Sequence, residues 1–339
     1  MSAGTKSLDI GLAFDLKREL ELRPELATGP DDRLEEYDSD ATVDALCAAL
    51  SELGHRPRRM GGGRAFVEAA LARPPQLVFN FAEGFGTRSR EAHVPAVCEM
   101  LQIPFTHSDP LTLAATLDKE IAKTIVASKG LAVPRGAVVR DARELARLDL
   151  GWPRIAKPLF EGSSMGVRKS SRVEDAAALE REVARLSKDY GEPVLVEEFL
   201  EGCELTVGIL GNGAKARVIA AMEVAPKVDD PSRFVYSLEV KRDWENQVEY
   251  HVPPRLPAER VRAAEELALA AYHALECRDV ARVDLRFDAR GTPRFIEVNP
   301  LPGLNPRTGD LCVLAGKVGV SFTDIVRAIV DGARERQGL

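Results

Sequence analysis

Apolar residues first gather in a nearly continuous run, Leu8 to Phe14, which predicts a buried strand. Asp40 then stands where a helix cap belongs, and Val43, Leu46, Leu50 and Leu53 follow at helical spacing up to Gly54, a stop signal. Leu77 to Phe81 reads as a second strand, followed by a Gly84/Gly86 loop and a helix from about Glu91 to Gln102. Alternating strand and helix signals of this kind predict an open α/β unit, whose ligands bind beyond the carboxyl ends of its strands.

From Asp118 the pattern changes. A helix over Lys119 to Lys129, stopped by Gly130 and Pro134, leads to a strand at Arg154 to Lys157 and a Gly/Ser loop, Glu161 to Gly166. A helix near Glu174 to Ser187 and strands at Val194 to Phe199 and Leu205 to Leu210 complete an α+β block. A strand around Arg217 to Glu223 follows, then a polar stretch from Pro226 to Gln247 and a long helix from Pro257 to about Glu276. That stretch is too long for a tight turn, so it is either a functional lid or a mobile segment. The chain shows no internal repeat.

The strongest chemical signal lies in Ala281 to Phe287 and Arg294 to Asn299, two alternating runs separated by turn residues, hence a β-hairpin. Period two puts Arg282, Asp284 and Arg286 on one face of the first strand, and Glu297 and Asn299 on one face of the second. With Arg290-Gly291 as the two-residue turn, Asp284 lies across from Glu297. Opposed carboxylates repel, and two arrangements relieve them: a hard divalent cation, or a solvated face on which the acids pair with Arg282 and Arg286. A second signal is Lys157-Pro158 followed by Glu161 to Gly166, where glycines and hydroxyls let backbone N–H groups approach an anion beside a lysine. Neither a Walker A loop nor a G-x-G-x-x-G run is present.

Composition narrows the classes without choosing among them. The 339 residues carry 46 Lys and Arg against 53 Asp and Glu, a net charge of −7, and 45% are hydrophobic, which excludes a disordered chain. At roughly 100–200 residues per domain the length predicts two or three domains. Basic residues alternate with acids, which argues against a nucleic-acid or membrane-surface partner. Five scattered cysteines without a C-x-x-C predict reduced thiols. No signal-type start and no run of about 18 apolar residues is found, so a cytoplasmic address is expected.

Taken together, Leu117-Asp118-Lys119, Ile155 to Pro158 with Glu161 to Gly166, Val194 to Val207, and Arg282-Val283-Asp284 through Glu297 to Gly303 resemble the ATP-grasp superfamily, and within it the D-alanine–D-alanine ligase family. The resemblance implies a three-domain α/β ATP-grasp fold: an open α/β pre-grasp domain (1–114) and two α+β domains (115–205 and 206–339) that clamp ATP. It implies ATP contacts from Lys119, Lys157, Glu161, Ser163, Ser164 and Gly166 around the phosphates. Glu197 and the Glu198, Phe199 and Leu200 backbone would hold adenine, and Glu204 the ribose. Asp284, Glu297 and Asn299 match the family's Mg²⁺ ligands, with Mn²⁺ as a substitute, which agrees with the hairpin argument. Arg282, Ser163, Lys241 and the Gly303 N–H match its catalytic set, whose physical role is oxyanion stabilisation. The implied reaction is ligation through an acyl phosphate, with release of ADP and phosphate and no protein nucleophile. His55, His107, His251 and His273 are then structural, and a homodimer is implied by the resemblance alone.

Departures fall where the amino substrates bind. The family's glycine-rich loop becomes Asp15 to Glu19 with an insertion to about Asp38, Glu83 stands where the family has a histidine, Arg242 replaces a lid tyrosine, and Thr308 replaces a serine. Glu83 is expected to receive an amine, and Arg242 a carboxylate or else a neighbouring Glu239 or Asp243. The expected function is therefore an ATP-dependent carboxylate–amine ligase acting on small amino acids or peptides. The alternatives are the authentic cell-wall D-alanine–D-alanine ligase and a catalytically silent nucleotide binder.

Overall fold

Asp9–Phe14 is buried almost throughout because it is the central strand of a parallel sheet, flanked by Arg56–Arg59 and Leu77–Phe81. The Arg56–Arg59 strand carries no apolar signal, and its edge position, with Arg56 and Arg59 exposed, explains why. The computed structural model describes residues 6–23, 29–228 and 230–339. Parts of the N-terminal run, the 15–38 insertion and the polar stretch (1–5, 24–28 and 229) lie outside them.

Helix Asp40–Glu52 lays Val43, Leu46 and Leu50 on this sheet. Its cap is Ser39, whose hydroxyl accepts from the Thr42 N–H, one residue earlier than expected; Asp40 sits in the first turn, where the helix dipole favours a negative charge. Two further helices missed by periodicity, Gly63–Ala72 and Pro110–Leu117, belong to the same half. The chain's last helix, Phe322–Gln337, returns to the first sheet and packs Ile325, Ile329 and Val330 into the same core.

A four-stranded antiparallel sheet follows in the order Gly136–Val139, Val194–Glu198, Arg154–Pro158, Arg172–Val173. Helix Ala176–Tyr190 covers it through Leu179, Val183 and Leu186. The third sheet has five antiparallel strands in the order Val248–His251, Arg217–Pro226, Glu204–Leu210, Val280–Phe287, Pro293–Asn299. Ala281, Val283, Leu285 and Phe287 point to helix Ala258–Ala274, whose Ala264, Ala268 and Ala271 allow close approach. The alternate residues therefore face the cleft between the second and third sheets.

The polar stretch after Pro226 forms, over its described residues 230–247, a cover. It forms short helices Leu238–Arg242 and Trp244–Gln247 over a small core of Phe234, Val240 and Val248 against Val224. Among the described residues no helix is long and apolar enough to cross a membrane, and all five cysteines are free thiols.

Asp279 joins these parts. It is fully buried, accepts from the His107 amide (2.7 Å) and Asn212 Nδ2 (2.7 Å), and pairs with Arg336 of the last helix at 2.8 Å. Asp279→Ala leaves Arg336 without its counter-ion and is expected to cost about 3–5 kcal/mol, read as a lowered midpoint in urea.

Candidate active site

The hairpin delivers its acids by a route the sequence did not predict. Its loop has three residues, Ala289 to Gly291, closed by Asp288 N–H to Thr292 O and Gly291 N–H to Asp288 O, with Gly291 at φ +78°. That shifts the pairing by one residue, so Leu285 lies opposite Phe295; a bulge then shifts it back, and Asp284 lies opposite Glu297. The extra residue is Ile296, which lines the cleft beside Glu297.

Glu297 lies in a field of cations. Burial pushes its carboxyl up, but Lys119, Lys157, Arg282 and Lys241 together hold it down at about 2. Asp284 is raised by burial, with Arg282 pulling it back and Glu297 opposing. Its oxygens accept from Arg282 Nη2 (2.9 Å), Thr206 Oγ1 (2.9 Å) and Asn299 Nδ2 (3.5 Å). With the Asn299 amide turned this way, its oxygen is left for another partner. Two half-buried carboxylates and an amide oxygen are hard donors, and among the described residues no third His, Cys, Asp or Glu joins them. Such a partial set fits a Mg²⁺-type cation that completes its shell with phosphate oxygens and water.

The cleft between the second and third sheets, where the nucleotide is expected, is narrow, with a volume of about 110 Å³. It is lined by Lys119, Lys157, Glu161, Ser164, Glu197 to Leu200, Glu204, Lys241, Arg282, Asp284 and Glu297. The Gly/Ser loop is tightly wound: Ser163 and Ser164 have φ of 49° and 59°, each costing about 1–3 kcal/mol for a non-glycine residue. Gly166 is required by its φ of +75° and by Pro158, whose Cγ would lie 2.3 Å from an added Cβ. Lys119 Nζ donates to the Glu161 carbonyl and Ser164 Oγ to Tyr236 O (3.1 Å).

Two expectations for this cleft need correction. Glu197 is not free for adenine: its carboxylate is buried between Lys157 Nζ (2.8 Å) and Lys123 Nζ. Burial raises it, but the two lysines bring it below the usual range. Lys123, one turn beyond Lys119, is a missed member of the site; burial lowers it to about 7 against the pull of Glu197, and only the Lys119/Lys123 spacing of four hinted at it. Of the adenine-side amides, Glu198 and Phe199 already donate to the Arg135 and Pro153 carbonyls. Glu204 is pushed to about 7 by burial despite Arg286, 3.4 Å away, which stacks on Phe199.

Arg282 stands where the nucleotide slot meets two further cavities, and it pairs with Asp284 (2.9 Å) and Asp310 (3.1 Å). One cavity is small, about 70 Å³, and is lined by Ser163, Asn299, Gly303 and five acids: Glu36, Glu83, Glu91, Glu161 and Glu297. Burial and the neighbouring Glu91, Glu36 and Asp38 push Glu83 well up, and burial takes Glu91 to about 7. The other, about 510 Å³, runs under the lid past Tyr37, Lys241, Tyr236, Trp244 and Thr308. Lys241 lies over the Tyr236 ring at 5.5 Å, and burial together with Arg282 lowers its pKa. Glu83 and Arg242 line different cavities. Arg242 meets neither a substrate carboxylate nor Glu239 or Asp243: Nε and Nη2 bind Glu35 (3.1 and 2.6 Å), and Nη1 and Nη2 bind Asp31 Oδ2 and its carbonyl (2.6 and 3.1 Å). The insertion supplies its counter-charge.

Residues 126–331, more than half of the chain, match the family described as D-ala D-ala ligase C-terminus. The D-alanine–D-alanine ligase of Granulibacter bethesdensis is 35% identical over 296 residues, covering 85% of this chain and 90% of its own. Among solved structures, the D-alanine–D-alanine ligase of Bacillus anthracis complexed with ATP superposes with a TM-score of 0.70 at 18% identity, over 98% of this chain and 99% of that one. VanG D-Ala:D-Ser ligase of Enterococcus faecalis superposes with a TM-score of 0.72 at 19% identity, over 97% and 100%. At such identities the structures establish the three-domain α/β ATP-grasp fold, while the extent of the sequence match goes further: the chain belongs to the D-alanine–D-alanine ligase family.

Proposed function

We propose that this protein is an ATP-dependent, ADP-forming ligase that joins the carboxylate of one amino-acid-type substrate to the amine of another. The observation that carries the reading is Arg282, a cation with its side chain only 13% exposed, at the meeting point of the nucleotide slot and both cavities. The domains would divide as 1–114, 115–205 and 206–339, with ATP between the last two. Lys119, Lys157 and the loop amides from Glu161 to Ser164 would hold the phosphates, the Gly166 amide being committed to Asp32; Leu200 and its neighbours would hold the adenine, and Glu204 the ribose. Asp284, Glu297 and Asn299 would hold Mg²⁺, which when bound neutralises phosphate charge. An oxygen of the donor carboxylate attacks the γ-phosphorus and ADP leaves; the acceptor amine then attacks the acyl carbon, phosphate leaves, and the amine loses a proton. Arg282, Lys241, Ser163 and the Gly303 N–H would stabilise the charge that moves through these steps.

The small acidic cavity supports a donor whose ammonium lies between Glu83 and Glu91, since an isolated buried carboxylate is costly and a cation relieves it. The larger cavity falls within the range of about 300–1,000 Å³ that holds drug-sized ligands. It exceeds what a second alanine needs, and Thr308 would meet the acceptor there. A silent nucleotide binder would have no use for Arg282 and the paired acids beside the amino cavities. A screen of amino-acid pairs for phosphate release, with mass spectrometry of the products, tests the reading. An amide product containing a residue larger than alanine is expected, whereas D-alanine alone as the efficient substrate would restore the cell-wall assignment.

A further inference from the structure

Residues 30–38 form a helix-like turn inside the insertion, bonded Glu35 N–H to Asp32 O and Tyr37 N–H to Leu34 O. Leu34 and Tyr37, three apart, pack inward against Leu20 and Phe85, and Tyr37 O–H donates to Gly84 O at 3.0 Å. The four acids between and before them therefore point to other parts of the molecule, and each finds a partner more than 50 residues away. Asp32 is fully buried. It accepts from the Gly166 amide (2.9 Å), Tyr190 O–H (2.6 Å) and Arg168 Nη2 (3.2 Å). Asp31 binds Arg168 and Arg242, and Glu35 binds Arg242. Glu36 takes Arg90 in a two-point contact (3.0 and 2.8 Å), and Arg90 in turn reaches the Phe160 carbonyl and Glu161.

One short segment thus holds the phosphate loop at both ends, through Arg90 at Phe160–Glu161 and through Asp32 at Gly166–Arg168, and also holds the lid helix through Arg242. We propose that segment 30–38 is a latch that keeps the phosphate loop and the lid closed over the nucleotide, with Asp32 as its positioning residue. The inference rests on the ATP-dependent reading above. Its chemistry is specific: the loop is wound through two serines in the left-handed region, so it relaxes unless an acceptor holds its far end, and the buried Asp32 carboxylate is that acceptor. The segment also places Tyr37 and Asp38 in the wall of the larger cavity, so nucleotide closure and amino-substrate binding share one element.

The test uses the full chain, with hydrogen exchange over residues 160–168 measured with and without Mg²⁺ and a non-hydrolysable ATP analogue, alongside steady-state kinetics. Asp32→Asn is expected to raise the KM for ATP about tenfold while kcat stays within about twofold, because charged hydrogen bonds to the loop are lost while the chemical groups remain. Exchange should rise in the 160–168 segment and not in the core helix at 258–274. Should Asp32→Asn fail to fold, Tyr190→Phe and Arg168→Gln each remove one Asp32 contact and should shift KM and loop exchange in the same direction. If the analogue protects the loop in the parent protein and equally in all three variants, with KM unchanged, the latch is wrong and the ligase reading stands. If the analogue gives the parent no protection, the nucleotide reading fails and the latch falls with it. A uniform rise in exchange across the chain would make Asp32 merely structural and also overturn the proposal.

Discussion

Replacing Glu297 by glutamine is expected to lower turnover by at least about a hundredfold, the scale of a lost charge-stabilising group, with an unchanged circular dichroism spectrum. Four cations converge on this carboxylate and hold it ionised, so the amide removes both an oxygen donor for Mg²⁺ and the negative charge that balances them. The amide has nearly the same shape, so the strand pairing of residue 297 with Asp284 survives. Raising Mg²⁺ should recover part of the loss if the residue acts through the cation. Normal turnover of the variant at low Mg²⁺ would sink the metal assignment.

Lys157→Ala and Glu204→Ala form a contrasting pair. Lys157 is buried beside Glu197, which keeps Lys123 as a second partner, so the truncation removes the charge proposed to meet the phosphates without stranding the acid. Turnover should fall by at least about a hundredfold. Glu204 sits at the other end of the slot with Arg286, and its loss should mainly raise the KM for ATP, by about tenfold for one hydrogen-bonded charge. Small and equal effects in both variants would place the nucleotide elsewhere.

The residues read correctly from the chain were those governed by short-range rules. Alternation alone put Arg282 and Asp284 on one strand face, and turn residues announced the hairpin. Helices with clear apolar spacing, such as Asp40–Glu52 and Lys119–Ser128, came out within a few residues. The hairpin register was reached for an incomplete reason, because a three-residue loop and a bulge offset each other, and neither leaves a mark in the polar pattern. Arg56–Arg59 escaped because an edge strand of arginines has no apolar face to betray it.

Local sequence determined which residues are the candidates for the proposed chemistry: the Gly/Ser loop, the opposed acids and the lysines at 119 and 157 are each recognisable within a dozen positions. Tertiary structure alone decided what the charges meet. Asp31, Asp32, Glu35 and Glu36 carry no local mark of their partners, yet Asp32 is buried against Gly166, 134 residues away, and Arg242 reaches back 211 residues to Asp31. Hydrophobic periodicity records only which face of an element is covered. The partner of a buried charge is set by whatever distant segment the fold brings within hydrogen-bond reach, since burial without such a partner is too costly to persist.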